Sequence, residues 1–126
     1  MIIVYGIPNC DTVKKARAWL ATQALPYHFH DFKKSGVPEE ALRCWGAVLG
    51  VQKLLNRQGT TWRKLDAGAQ TAASDDSHAV ALMVARPSVI KRPVVAWGGG
   101  DVTVGFDAAV WTSRSSSQQT EGIDDF

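Results

Sequence analysis

The sequence predicts an α/β fold in which a four-stranded mixed sheet carries an inserted helical segment. A β-branched run at residues 2–5 and an alternating aromatic run at residues 27–32 flank an amphipathic helical pattern. Residues 36–89 have mainly helical patterns, and two further β-branched runs follow them. The predicted order is therefore strand, helix, strand, helical segment, two strands and a final helix.

The first three elements form a strand–helix–strand unit. Gly6 and Pro8 bound the first strand, and Asn9 and Asp11 are residue types that cap helix N-termini. Small and apolar residues at helical spacing extend the predicted helix to Ala24. Two strands joined by a single helix are parallel, so the first two strands are predicted to be parallel neighbours.

The middle segment is predicted to contain several helices. Pro38 is placed to begin a helix and Gly50 to end it, and residues 51–55 form one more helical turn. Residues 56–64 are polar and contain a glycine, so they are predicted to be a loop, and a short helix after them is left open. Residues 75–85 begin with capping residue types and are predicted to be helical.

Strands return near the C-terminal end. Residues 94–97 and 102–106 flank three consecutive glycines, which is typical of a β-hairpin turn, and residues 108–111 begin a helix. Residues 113–126 contain few apolar side chains, so we expect this tail to be disordered.

The predicted organisation has one sheet-containing core and one insertion. The core comprises residues 1–35 and 90–112, the inserted helical subdomain comprises residues 36–89, and the disordered tail comprises residues 113–126.

Composition excludes several functional classes. The chain has 126 residues, 45% of them hydrophobic, and a net charge of only +2, so neither a nucleic-acid surface nor a membrane-binding stripe is expected. It shows neither a signal peptide nor an apolar stretch of the roughly 20 residues that a membrane span needs. Two cysteines do not make a disulfide framework, so a reducing cytoplasm is the expected location.

Cys10 lies at the junction of the first predicted strand and helix, where two interpretations are open. Amides at a helix N-terminus stabilise a thiolate, which favours a reactive thiol, although a free cysteine also serves as a buried apolar residue. Val13 stands where a Cys-x-x-Cys motif has its second cysteine, so an external thiol would have to resolve a mixed disulfide. Cys44 is expected to have no redox role and to form no disulfide with Cys10.

Other candidate residues are weaker when considered one at a time. Arg57, Arg63 and Arg92 stand in unusual surroundings, but a single arginine is commonly a solvated surface charge. His28 and His30 have the spacing of metal ligands without a second convergent pair, so no metal site is predicted.

Three separated blocks of the sequence resemble the arsenate reductase/Spx family, and most closely its YffB-type branch. The blocks are Tyr-Gly-Ile-Pro-Asn-Cys-Asp-Thr-Val-Lys-Lys-Ala at residues 5–16, Leu-Asn-Arg-Gln-Gly-Thr-Thr-Trp-Arg-Lys-Leu at 55–65, and Ile-Lys-Arg-Pro-Val-Val at 90–95. They occur in the family's order, and the resemblance covers residues 1 to about 111.

The resemblance implies a thioredoxin-like (glutaredoxin-like) fold with an inserted helical subdomain. It also implies that Cys10 is the nucleophile, that Arg57 and Arg92 face it as catalytic residues, and that Pro93 is a cis-proline beside the thiol. The activity it suggests is glutathione-dependent thiol reduction, with glutathione as cosubstrate, glutaredoxin as a partner and no bound cofactor. The residues expected to bind substrate or glutathione are Asn9, Thr12, Lys14, Arg63 and Pro93.

Two other functions belong to the same family. Spx-like members bind RNA polymerase without being enzymes, and many carry a Cys-x-x-Cys switch that Val13 excludes here. Arsenate-reducing members carry Gly-Thr-Ser-Arg after the cysteine and a third arginine after the last strand. This chain has Asp11-Thr12 in the first place and Gly105-Phe106-Asp107 near the second, so we expect arsenate reduction to be absent or very weak.

Overall fold

The computed structural model describes residues 1–115 of the chain. These residues form two compact units. The first unit comprises Met1–His30 and the described residues from Arg92 onward, and the second comprises Asp31–Lys91. Within the described residues, no helix is long and apolar enough to cross a membrane.

Four strands form one sheet in the order β2-β1-β3-β4. The strands are β1 (Ile2–Gly6), β2 (Tyr27–Asp31), β3 (Val94–Gly98) and β4 (Asp101–Val104). β3 is antiparallel to both β1 and β4, with Val4 opposite Val95 and Val95 opposite Thr103. The sheet is mixed, so β1 and β2 are its parallel pair, which confirms the predicted strand–helix–strand unit.

Helices make up most of the second unit and flank the sheet in the first. The α-helices are α1 (Asp11–Thr22), α2 (Phe32–Ser35), α3 (Glu39–Leu49), α4 (Thr60–Arg63), α5 (Ala67–Ala72), α6 (Asp76–Ala85) and α7 (residues 108–115). Short 3-10 helices occupy Val51–Leu54 and Pro87–Val89. The prediction of a helical middle segment is confirmed.

The core of the first unit lies where α1 and α7 pack against one face of the sheet. Its buried side chains are Ile2, Val4, Ala16, Leu20, Val95, Trp97 and Trp111. The two indole rings lie 5.1 Å apart in an edge-to-face arrangement, a geometry that aromatic pairs favour. The Trp97 indole nitrogen donates a hydrogen bond of 3.0 Å to the Thr103 hydroxyl, so its burial leaves no indole donor unsatisfied.

Gly6 allows α1 to approach the end of β1. A Cβ atom at this position would lie 2.9 Å from a methyl carbon of Val13, closer than side chains tolerate. Val13 is itself fully buried at the start of α1. The absence of a side chain at Gly6 therefore positions the N-terminal turn of α1, and with it Cys10, at the end of the strand.

Two predicted element boundaries are wrong because the backbone turns earlier than the side-chain pattern suggests. α1 ends at Thr22 and not at Ala24, since Ala24 has a φ of 56° and lies outside the right-handed helical region. β4 ends at Val104 and not at residue 106, because Gly105 has a φ of 81°.

The second unit begins earlier than the sequence predicts, at Asp31 instead of residue 36, and ends at Lys91 instead of residue 89. Phe32 is buried and its ring lies 6.5 Å from that of Trp45 on α3, so α2 packs within this unit. Asp31 is the N-cap residue of α2, and its carboxylate accepts a hydrogen bond from the Lys33 amide. Side-chain packing therefore places the start of the second unit at Asp31, and the local sequence pattern does not reveal such packing.

The segment predicted as a loop at residues 56–64 contains α4, and α5 follows it where the sequence leaves a short helix open. Trp62 is buried and holds α4 against its unit. The Asp66 carboxylate caps α5 by accepting a 2.7 Å hydrogen bond from the Ala69 amide. Both helices are short, and helices of this length show no apolar periodicity from which they could be predicted.

Residues 113–115, assigned to a disordered tail from the sequence, continue helix α7. Ser115 is buried, and Arg114 donates a 3.0 Å hydrogen bond to the Asp101 carboxylate at the start of β4. These contacts order three residues whose composition alone predicts disorder. The remainder of the predicted tail, residues 116–126, lies outside the described residues.

We predict that Trp111→Ala lowers the free energy of unfolding by about 3–5 kcal/mol, because it removes a buried indole and leaves a cavity. Val110→Ala is the matched control on the same helix. Val110 is 38% exposed, so its truncation should change stability by at most about 0.5 kcal/mol. Urea unfolding followed by circular dichroism measures both values, and equal losses in the two variants would contradict this description of the core.

Candidate functional site

Cys10 is the N-cap residue of α1, in an extended conformation with φ −92° and ψ 126°. Its amide donates a 3.3 Å hydrogen bond to the Ile7 carbonyl, and its carbonyl accepts a 2.9 Å bond from the Lys14 amide. The backbone is therefore held on both sides of the thiol, which is half-buried. Asn9 and Asp11, the predicted capping residues, lie on either side of Cys10, and neither is the N-cap residue.

Opposing effects act on the pKa of the Cys10 thiol. Burial is the largest single effect and raises the pKa. Against it act a hydrogen bond from the Val13 amide, the hydrogen bond and positive charge of Arg92, and a hydrogen bond from the Thr12 amide. The net result is a Cys10 pKa below its ordinary value. Charged and amide donors thus favour the thiolate, the form that acts as a nucleophile.

Arg92 and Pro93 immediately precede β3 and belong to the same unit as Cys10. The peptide bond between them is cis, as the family resemblance implies. The Pro93 carbonyl accepts a 2.9 Å hydrogen bond from the Gly105 amide, so the end of β4 holds this segment in place. Arg92 is half-buried and its guanidinium interacts with the Cys10 sulfur.

The other predicted site residues of the first unit lie around the start of α1. Asn9, Thr12 and Lys14 are all exposed. The Thr12 backbone amide interacts with the Cys10 thiol. That the three side chains bind glutathione stays a prediction.

Arg57 and Arg63 lie in the second unit, on and next to α4. Both are exposed. The Arg57 guanidinium lies 5.4 Å from the centre of the Trp62 ring and donates to the Gln52 side chain. The structure thus brings Arg92 to Cys10. That Arg57 faces the same thiol, and that Arg63 binds substrate or glutathione, stay predictions.

Cys44 lies on α3 in the second unit, where it is an exposed free thiol. Cys10 is also a free thiol. Among the described residues, no group of histidine, cysteine and carboxylate side chains is arranged to hold a metal ion. The His30 ring lies against that of Tyr5 in a tilted arrangement, with the ring centres 5.1 Å apart.

The ArsC family model matches residues 5–113, which include the thiol, Arg92 and both units. The chain belongs to the ArsC family. An uncharacterized protein of Haemophilus influenzae is 37% identical over 107 residues, covering 85% of this chain and 92% of its own length. The solved structure of the YFFB protein is 46% identical, has a TM-score of 0.86, and covers 90% of this chain and 98% of that one.

A more distant relative is the global transcriptional regulator Spx of Streptococcus pyogenes, which is 23% identical over 97 residues and covers 75% of this chain and 71% of its own. These similarities confirm the resemblance drawn from the three sequence blocks. The fold is thioredoxin-like, as expected of an ArsC-family protein with a four-stranded mixed sheet.

Two contributors to the site were not among the predicted residues. The Val13 amide lowers the pKa of Cys10, although in sequence Val13 only marks a missing second cysteine. The sequence could have indicated this role of Val13, because the amide of the third residue of a helix has no partner within the helix. Nothing in the sequence indicates that the Gln52 side chain accepts a hydrogen bond from Arg57.

We predict that Arg92→Met raises the pH midpoint of Cys10 alkylation, because it removes a cation and a donor that stabilise the thiolate. The wild-type midpoint should lie below the ordinary value of about 8.5. Since only the thiolate reacts, the variant should also be alkylated more slowly near neutral pH.

Arg114→Met is the control, since it removes the same charge from the same unit but at an arginine paired with Asp101. Each variant is made in the Cys44→Ser protein, so that Cys10 is the only cysteine left. The rate of its reaction with iodoacetamide is then measured from acid to alkaline pH. A midpoint that Arg92→Met leaves unchanged, or that Arg114→Met shifts equally, would contradict the assigned role of Arg92.

Proposed function

We propose that the chain is a thiol–disulfide oxidoreductase in which Cys10 is the only nucleophile and glutathione is the cosubstrate. The proposal rests on one observation: the Cys10 thiol lies at the N-terminus of α1, where amide donors and Arg92 lower its pKa. Its partial exposure supports access by a small disulfide. The proposal assigns the chain to the cytoplasm, where glutathione is the abundant thiol.

The first step is a thiol–disulfide exchange. The Cys10 thiolate attacks the glutathione sulfur of a mixed disulfide between glutathione and a substrate thiol. A bond forms between Cys10 and glutathione while the original disulfide bond breaks. The substrate thiol leaves with the bonding electron pair and takes a proton from solvent, so the substrate is reduced and Cys10 is oxidised.

The second step regenerates Cys10. A second glutathione thiolate attacks the glutathione sulfur bound to Cys10, which releases glutathione disulfide and the Cys10 thiolate. Because a thiol of lower pKa leaves faster, the groups that stabilise the Cys10 thiolate favour this step too. Glutaredoxin is the proposed alternative reductant for the same mixed disulfide.

The proposed mechanism relies on an external thiol, because no cysteine follows Cys10 at the spacing of a Cys-x-x-Cys motif. The chain has two cysteines, and the other, Cys44, belongs to the second unit. Val13, which stands in the place of a resolving cysteine, is fully buried and apolar. This arrangement supports a one-thiol mechanism over an internal disulfide.

We predict that the purified protein incubated with glutathione disulfide gains the mass of one glutathionyl group at Cys10. Cys10→Ser should form no such adduct, and Cys44→Ser should react like the wild type, because the lowered pKa of Cys10 favours its reactive thiolate. Intact mass spectrometry followed by peptide mapping locates the adduct. An adduct on Cys44 alone, or none at all, would overturn the proposed function.

The relationship to Spx favours a second candidate, a non-enzymatic regulator that binds RNA polymerase. Absence of a glutathione adduct, together with co-elution with purified RNA polymerase in gel filtration, would favour this candidate. Val13 argues against its redox-switched form, since a valine supplies no second sulfur for a disulfide with Cys10.

Residues 105–107 hold no cation that could help to bind arsenate. The Gly105 amide bonds to Pro93, the Phe106 ring packs 4.8 Å from that of Trp111, and the Asp107 carboxylate accepts from the Ala109 amide. Each missing charged hydrogen bond to an oxyanion costs about 1.5–3 kcal/mol. These residues cap and pack the start of α7, and they bring a negative charge where the arsenate-reducing members are expected to place an arginine.

We therefore predict that arsenate is not reduced above the background rate in an assay coupled to glutathione, glutaredoxin and NADPH. An ArsC-family arsenate reductase in the same assay is the positive control. Saturable arsenate turnover that is lost in Cys10→Ser would favour arsenate reduction over glutathione-dependent thiol reduction as the function of the chain.

A further inference from the structure

Arg17 on α1 is held in place by two aromatic residues of β2. Its guanidinium carbon lies 4.1 Å from the centre of the Phe29 ring, and its Nε donates a 3.0 Å hydrogen bond to the Tyr27 hydroxyl. Both rings are partly buried and pack against the core of the first unit. Since the face of an aromatic ring attracts a cation, the end of this arginine is fixed without any loss of its positive charge.

The two terminal nitrogens of Arg17 are left for a ligand. A guanidinium has five N–H donors, and within residues 1–115 only the Nε donor of Arg17 has an acceptor. None of the salt bridges among these residues involves Arg17 or its neighbour on the helix, Lys14. One donor from each terminal nitrogen can bind the two oxygens of a carboxylate through parallel bonds. The arginine is therefore oriented and charged, and its carboxylate partner has to come from another molecule.

Arg17 lies on the same side of α1 as Cys10. Lys14 and Arg17 follow the N-cap residue Cys10 by four and seven residues, the spacing of side chains along one face of a helix. Seven residues of helix rise about 10 Å, and Lys14 is exposed between the two ends of this span. All three residues belong to the first unit. A row of positive charge thus leads away from the reactive thiol along α1.

We propose that this row, formed by Lys14 and Arg17, binds an acidic segment of a protein substrate whose cysteine carries glutathione. The inference rests on the proposed function, because it names the class of protein that brings a mixed disulfide to Cys10. Charge complementarity selects the occupant, since the row is positive, no described carboxylate pairs with it, and it begins at the reacting sulfur.

The position of Arg17 also sets where the acidic residue should stand in the substrate. The Cys10 thiolate attacks the glutathione sulfur, and the substrate cysteine leaves with the electron pair of the broken disulfide bond and takes a proton from solvent. During this step the substrate cysteine lies close to Cys10. An extended peptide advances about 3.3 Å per residue, so an aspartate or glutamate about three residues from that cysteine reaches Arg17.

The test uses three glutathionylated peptides of equal length. The first has glutamate three residues from the cysteine on both sides, and the second has lysine at those two positions. The third has the composition of the first, with its glutamates moved about eight residues away. The wild type should remove glutathione from the first peptide about three- to tenfold faster than from either of the others. Raising the salt concentration to about 0.5 M should abolish the difference, because salt screens exposed charges.

Three substitutions test the residues of the row and its support. Arg17→Met keeps an apolar stem over the Phe29 ring but removes the charge, so it should abolish the preference for the first peptide. Tyr27→Phe removes the acceptor of the Nε bond and should lose part of the preference, but it should add nothing to Arg17→Met. Lys15→Met is the matched control, because Lys15 is an exposed cation on another face of the same helix. It should keep the full preference.

A binding measurement separates this surface from the chemistry at Cys10. The first two peptides are made with serine in place of cysteine and with a fluorophore, and fluorescence anisotropy should show tighter binding of the glutamate peptide. Arg17→Met should lose that difference. If the glutamate peptide binds in this way while the wild type removes glutathione from no peptide, the proposed function fails and the surface stands.

Other outcomes overturn the inference and leave the proposed function intact. Removal of glutathione from the three peptides at equal rates would show that the row selects no acidic substrate. Arg17→Met that slows the reaction with glutathione disulfide as much as that with the first peptide would assign Arg17 to glutathione instead. Loss of the preference in Lys15→Met would show that the general charge of α1, and not the row, attracts the peptide.

Discussion

The N-terminal cap of α1 is the constraint on which the rest of the candidate site depends. A sulfur atom occupies the place where a serine or aspartate oxygen commonly accepts from the first helical amides. The Val13 and Thr12 amides have no partner within the helix, and they interact with the Cys10 sulfur. Helix geometry and thiol chemistry are thereby joined, because the amides left without a partner at the helix end are the groups that stabilise the thiolate.

The sheet supports this cap from both of its central strands. Gly6 at the end of β1 admits the buried Val13 side chain, which places the first turn of α1. Arg92 reaches the sulfur from the segment preceding β3, and that segment is held by the bond between Pro93 and Gly105. The thiol therefore depends on residues 6–13 around it and on the distant hairpin segment that begins at Arg92 and is closed at Gly105.

The second unit organises positive charge in a different way. Arg92 is half-buried beside a thiol, whereas Arg57 is exposed and bound by a neutral residue and a ring. A buried cation adjusts the pKa of a neighbouring group, while an exposed and preoriented one is suited to bind an anion from solution.

The sequence by itself determined the order of the strands and main helices, the position of Cys10 before α1, and the family. Local periodicity and capping residues encode the elements, as the predicted and observed bounds of α3 and α6 show, whereas the family came from the three sequence blocks that resemble it. Only the tertiary structure decided that Phe32 belongs to the helical unit, that residues 113–115 are helical, and that Gln52 holds Arg57. The physical reason is that these contacts join residues whose approach depends on packing of the whole unit, and no local spacing of residue types specifies such a contact.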